Sequence, residues 1–375
     1  MKSKITTFIL TIFMLLLILL IVGFGVVIFL EINSGSISTI YEFQGNGEVS
    51  YEDTENVSSK NITITEKIQE IFTGNKQEET YDYSAKQSES NYFYKQLNDY
   101  EKKIYNGLQE NKENMQSGTY VINYGDSFSD ILASENGSEV LGKYYQSAIE
   151  AFTHDNIDMF YLNVNKMYLN IETTKKLGKT KYNVYIAPEE NGTYFADGFS
   201  SKEQVASASE EIESVKETVL STLSGNSYKD IFKIHDFLVD NISYDTTYSS
   251  VGSYSIYGAL VKKTCVCEGY SKAFKYLLNS AGIECEIVQG TATNSSGETE
   301  NHAWNCVYLN DNWYLVDVTW DDPIIIGGGT LTGRNKYKYF LKGTETFDKD
   351  HREQYQFTEG GKVFSYPEMS KVDYK

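Results

Sequence analysis

The sequence has 375 residues, with 52 acidic against 33 basic side chains and a formal net charge of -19, which argues against nucleic-acid binding by phosphate neutralisation. Apolar residues make up 41% of the chain, enough for a packed core, so wholesale disorder is not expected. The length allows one large domain, or two ordinary ones with a linker.

In chain order, Met1-Lys2-Ser3-Lys4 precedes 26 residues, Ile5 to Leu30, that carry no charge. About 20 apolar residues span a bilayer, so the run predicts one uncleaved transmembrane anchor. It is too long for a signal peptide, and Ile28-Phe29-Leu30-Glu31-Ile32 offers no small-x-small cleavage site. The lysines ahead of the run place residues 1–4 in the cytoplasm and everything after Leu30 outside. The expected location is the cell membrane, single-pass, with the lipid bilayer as a partner through residues 5–30. Residues 31–90, rich in Ser, Glu, Asn, Thr, Lys and Gln, predict a polar extracellular spacer.

Periodic structure begins near Asn91. Tyr94, Leu97, Tyr100, Ile104, Tyr105 and Leu108 predict a helix, and Leu141–Phe152 a second. Alternating segments near Tyr168–Ile171 and Tyr182–Ala187 predict strands, with a hairpin turn or loop at Asn191-Gly192. A long amphipathic helix is expected over Ser201–Leu223, ended by Ser224-Gly225-Asn226. Residues 91–226 therefore read as a mixed α/β N-terminal domain. His154, beside Asp155, reads as a surface or structural residue. A second domain is expected over 227–375. Its first helix, Ser227–Val239, carries Ile231, Ile234, Phe237 and Leu238 on a core face, and His235 beside that face reads as structural.

The central stretch is Thr264 to Ala281. Tyr270, Ala273, Phe274, Leu277, Leu278 and Ala281 share one helix face, and Gly282 stands where a left-handed cap is expected. The helix should begin at Cys267 or Glu268. A cysteine there meets free backbone N–H groups and the positive end of the helix dipole, which favour a thiolate. All four cysteines (Cys265, Cys267, Cys285, Cys306) lie in one short window, unlike a disulfide scaffold spread along its loops. The C-x-C spacing and the strand positions of Cys285 and Cys306 fit a zinc set poorly. Neither a metal nor a cofactor is expected.

Three strand-like runs follow: Glu284–Thr291, His302–Leu309 and Trp313–Trp320. Asn310-Asp311-Asn312 predicts a hairpin between the last two. A nucleophilic cysteine needs a base, and the base an orienting acceptor; the candidates are Cys267, His302 and Asp317. A loop at Asp311-Asn312 puts His302 and Asp317 on one face, but with Asp317 opposite Cys306. A structural reading is open too: Asp317 as a strand-end corner, His302 as packing beside Trp304. The Cys267 N–H would serve as an oxyanion donor, with a second from Tyr257 or a nearby side chain.

Val266-Cys267-Glu268-Gly269-Tyr270, Ala281-Gly282-Ile283, His302-Ala303-Trp304-Asn305 and Trp313-Tyr314-Leu315-Val316-Asp317 closely resemble the transglutaminase-like superfamily. The resemblance covers about residues 228–345. It implies an α+β, papain-like core, with Cys267 as nucleophile at a helix N-terminus and His302 and Asp317 on an antiparallel sheet. The implied reaction is acyl transfer through a thioester on a protein or peptide substrate at the cell surface, ending in crosslinking, deamidation or peptide hydrolysis. No acidic cluster repeats the calcium sites of animal transglutaminases. The alternative is a non-catalytic surface interaction module that keeps the fold.

Overall fold

The computed structural model describes residues 37–44, 49–53, 91–176, 178–322 and 336–375. The predicted anchor, residues 5–30, lies outside the described residues. Among those described, no helix is long and apolar enough to cross a membrane.

The first sheet is antiparallel with five strands: β1 (Ile37–Gln44), β2 (Val49–Asp53), β3 (Ile122–Gly125), β4 (Tyr168–Lys176) and β5 (Lys179–Ala187), in the order β2-β1-β4-β5-β3. β1 and β2 fall inside the stretch read as a spacer, yet β1 pairs with β4 along its whole length. The segment Ile37-Ser38-Thr39-Ile40-Tyr41-Glu42-Phe43 is rich in β-branched and aromatic residues, so pairing with β4 outweighs the polar composition around it. Asn191 takes a left-handed φ of 59°, but in a turn after β5 and not in a hairpin.

Helix α1 (Asp99–Glu110) opens with a capping box, in which Asn98 accepts from the Glu101 N–H and Glu101 returns the bond. The predicted start at Tyr94 is a separate short 3-10 turn. Helices α2 (Gly137–Asp155), α3 (Lys202–Leu220) and α4 (Ser227–Asn241) follow, α3 and α4 capped by the side chains of Ser201 and Asn226.

Helix α5 (Cys267–Ser280) packs on the second sheet, formed by β6 (Cys285–Thr293), β7 (Thr299–Leu309), β8 (Asn312–Val316) and β9 (His351–Glu353) in the order β8-β7-β6-β9. Its C-terminus is a Schellman closure: Gly282 has φ 76°, its N–H bonds the Asn279 carbonyl at 3.1 Å, and the Ile283 N–H bonds Leu278 at 2.9 Å. One hydrophobic core runs through both predicted domains, from Phe93 to Tyr366. Phe93, for example, stacks edge-on to Phe364 at 5.5 Å.

Lys275 clamps the two halves together. Its ammonium, on the buried face of α5, donates to Glu286 Oε2 on β6 at 2.6 Å and to the His154 carbonyl on α2 at 2.8 Å. Burial works against that charge, but the Glu286 and Asp155 carboxylates hold the lysine's pKa above its ordinary value. Lys275→Met would leave Glu286 as an unpaired interior carboxylate and should cost about 3–5 kcal/mol. The double change Lys275→Met/Glu286→Leu should recover most of that loss. Urea unfolding of the three proteins checks this, and a double variant as unstable as the single one would refute it.

Candidate active site

The end of α5 that carries Cys267 is open. Val266 at the N-cap is extended (φ -94°, ψ -178°) and has no side-chain oxygen to offer, so no side chain caps this end. Its first-turn amides are left to meet something else, at the positive end of the dipole. Cys267 is half-buried, whereas Cys265, Cys285 and Cys306 are buried. Burial pushes those three thiols far above the ordinary range, so they remain protonated and unreactive.

The hairpin that carries the other two groups turns one residue earlier than expected. Its loop is Asn310-Asp311, both left-handed (φ 50° and 63°), with Asn312 paired to Leu309. Asn and Asp tolerate that conformation, and two such residues match the twist of the flanking strands. The shift slides Asp317 two residues along β7, from opposite Cys306 to opposite Trp304, next to His302 on the same face. The strand also ends sooner, at Val316 and not Trp320. Asp317 starts a turn in which its Oδ1 accepts from the Trp320 N–H at 3.1 Å.

Asp317 has no solvent exposure. Its Oδ2 accepts from His302 Nε2 at 2.8 Å and from His351 Nε2 at 3.2 Å. Cys267 stands close enough to the His302 ring to favour its charged form. Burial works against a charged His302, but the Asp317 carboxylate outweighs it and pushes the ring's pKa up to about 10. Burial likewise opposes the Asp317 charge, and His302 and His351 together hold the carboxyl well below its usual range. Trp320 shelters the pair, its ring 5.3 Å from that of His302.

The structure thus brings together all three residues singled out from the sequence, and adds others. His351 is one, and only the scarcity of histidine (4 in the chain) could have drawn attention to it. His235 is fully buried, and its Nε2 meets Asp321 Oδ2 at 3.2 Å while Asp321 Oδ1 accepts from the Tyr339 N–H at 2.8 Å. This bracket fixes the turn that leaves Asp317, and burial, against the His235 contact, pushes the Asp321 carboxyl up to about 6. Tyr244 is raised chiefly by burial and next by Cys267, so it stands near that side chain. The ring of Tyr257, suggested above as an oxyanion donor, stacks on Phe160 at 6.0 Å. His154 is buried, with Nδ1 on the Glu150 carbonyl at 2.8 Å.

Ligand atoms of His302, Asp317 and His351 lie within 4.8 Å of one another, as metal ligands do. Here they are engaged with each other through Asp317 Oδ2.

Residues 215–318 match the family described as the transglutaminase-like superfamily. This part of the chain is similar to transglutaminase-like domains. The match begins inside α3, ahead of the boundary expected at residue 227. A stretch of 97 residues is 35% identical to the kyphoscoliosis peptidases of Homo sapiens and Mus musculus, covering 23% of this chain and 14% of each relative. The chain therefore spans about one seventh of those curated relatives. Among solved structures, one described as a TGase overlaps 46% of this chain and 48% of its own (15% identity, TM-score 0.29). The periplasmic domain of TgpA from Pseudomonas aeruginosa overlaps 41% and 72% (13% identity, TM-score 0.24).

The raised His302 pKa has a definite sign for stability. The pair's contribution is fully present below the unfolded imidazole value of about 6.5 and is lost as pH rises through about 10. Asp317→Asn should therefore destabilise the protein more at about pH 6 than at about pH 10, read by chemical unfolding at both. The same change should lower turnover of an active enzyme by about 10⁴-fold, because the imidazole loses its orienting acceptor.

Proposed function

We propose that this chain is a membrane-anchored, extracellular transglutaminase-like cysteine enzyme that transfers acyl groups from protein or peptide amides. The observation that carries the reading is the 2.8 Å His302–Asp317 bond, made by a ring that lies near Cys267 at an uncapped helix end.

The Cys267 thiolate attacks the amide carbonyl, and the oxyanion that forms is met by the open amides of α5. His302, protonated and held by Asp317, gives its proton to the departing amine. The resulting thioester is resolved when water or a second amine attacks, His302 now accepting that nucleophile's proton. Water gives hydrolysis and a lysine amine gives a crosslink; one triad serves both.

A cavity of about 610 Å³ beside the first turns of α5 gives the substrate a place to lie. Ile157 and Ile287 line it, and both belong to the apolar cluster against which Cys267 packs. One wall comes from the N-terminal domain (Ile157, Phe160, Leu162), the other from the loop Tyr248–Ser255. That loop leaves Tyr248, Val251 and Tyr254 56%, 46% and 49% exposed. An extended peptide with a bulky apolar residue beside the reacting amide would cover them. The uncharged run 5–30 behind two lysines supports an anchor with residues 1–4 cytoplasmic and the folded part outside.

The reading is tested by iodoacetamide labelling of the protein across pH, with peptide mapping. Cys267 alone should label rapidly below pH 7, and more slowly in His302→Ala. Labelling no faster than an ordinary thiol, with a pKa of about 8.5, would instead favour the non-catalytic module. Val251→Asp should raise KM about tenfold for peptides with Leu or Phe beside the amide, the worth of one apolar pocket contact. It should leave Cys267 labelling unchanged; an unaltered KM would remove the cavity from the substrate path.

A further inference from the structure

The last strand of the second sheet is three residues long and lies at its edge. β9 pairs with β6 through His351↔Ala292, Arg352↔Thr291 and Glu353↔Gly290. Gly290 permits the approach, because a Cβ there would run into the Arg352 carbonyl and the Trp304 ring. The strand thereby delivers His351 to the buried side of the Cys267–His302–Asp317 site.

There the imidazole stands among four aromatic rings: Phe347 at 4.1 Å, Trp320 at 4.7 Å, Trp304 at 5.0 Å and Tyr339 at 5.2 Å. Its Nε2 meets Asp317 Oδ2 at 3.2 Å and its Nδ1 meets Asp350 Oδ1 at 2.7 Å. Asp350 is itself held by the Tyr339 hydroxyl, which donates to its Oδ2 at 2.7 Å. Both oxygens facing the ring belong to carboxylates, which accept, so each ring nitrogen lies against an acceptor. The titratable and charged groups near the ring are Asp317, His302, Asp350 and Asp348, with Lys338 3.9 Å beyond Asp350.

We propose that His351 is a positioning residue for Asp317, fixing the carboxylate that orients His302; the proposal rests on the catalytic reading above. The torsion that turns a carboxylate about its Cβ–Cγ bond is broad and weakly restrained. Two imidazole donors on Oδ2, with the Trp320 N–H on Oδ1, leave it one orientation. His351 also shares the Asp317 charge, so His302 is held less tightly and can release its proton to a leaving amine.

The test compares the full-length chain with His351→Leu and His351→Gln, the glutamine keeping an N–H near the Nε2 position. Labelling of wild-type Cys267 across pH comes first. If that thiol behaves as an ordinary one, the catalytic reading fails and this proposal with it. If the thiolate–imidazolium pair is present, His351→Leu should lower kcat about 10²-fold with KM nearly unchanged, the scale of a misplaced catalytic group. The alkaline limb of its pH profile should move upward, since Asp317 then serves His302 alone. His351→Gln should recover most of kcat. Leucine with wild-type kcat and pH profile overturns the proposal. So does a glutamine variant that keeps the wild-type melting temperature yet has lost kcat as fully as leucine, and this second arm decides the matter if the leucine protein unfolds.

Discussion

A carboxylate with no access to water must be surrounded by donors or give up its charge, and Asp317 is such a group. Its donors come from three parts of the second sheet: the middle strand through His302, the turn after β8 through Trp320, and the edge strand through His351. Each of these needs its own support. The hairpin register depends on two left-handed loop residues, the turn on the His235–Asp321 bracket, and the edge strand on the missing side chain of Gly290. The arrangement of the sheet can be read as the means of keeping one negative charge inside the protein.

How much of this the sequence disclosed follows the range of the interactions. The cysteine helix was legible at both ends, because its period, its open start and Gly282 are all local signals. The hairpin was legible in kind but not in register: Asn310, Asp311 and Asn312 all suit a left-handed turn, and only long-range pairing with β7 selects the first two. The strand expected through Asp317 is too long because the apolar alternation continues to Trp320, while the Asp317 side chain captures a backbone N–H and ends it. His351 was not visible at all. A three-residue edge strand has no period, and its partner lies some 60 positions earlier in the chain, as in the pairing of Glu353 with Gly290. The triad reading comes from the resemblance; composition and spacing alone leave it open.

The division into two domains also has a physical limit. The expected boundary near residue 227 follows a real break in the helices, between α3 and α4. The interior does not stop there. Lys275 reaches from the cysteine helix to a carbonyl of α2, and the C-terminal aromatics Phe357, Phe364 and Tyr366 close around Phe93 near the beginning of the helical region. A buried charge and a shared aromatic cluster make the N-terminal region part of the same folding unit as the site.

The edge strand sets an order in time as well as in space. Cys267, His302 and Asp317 all leave the ribosome before His351, and the aromatics that seal the C-terminal segment onto Phe93 come later still. While the chain is being made, Asp317 lacks its second imidazole donor and the sheet lacks its last strand. Completion of the buried charge network therefore waits until the edge strand has been made, after the three residues it supports.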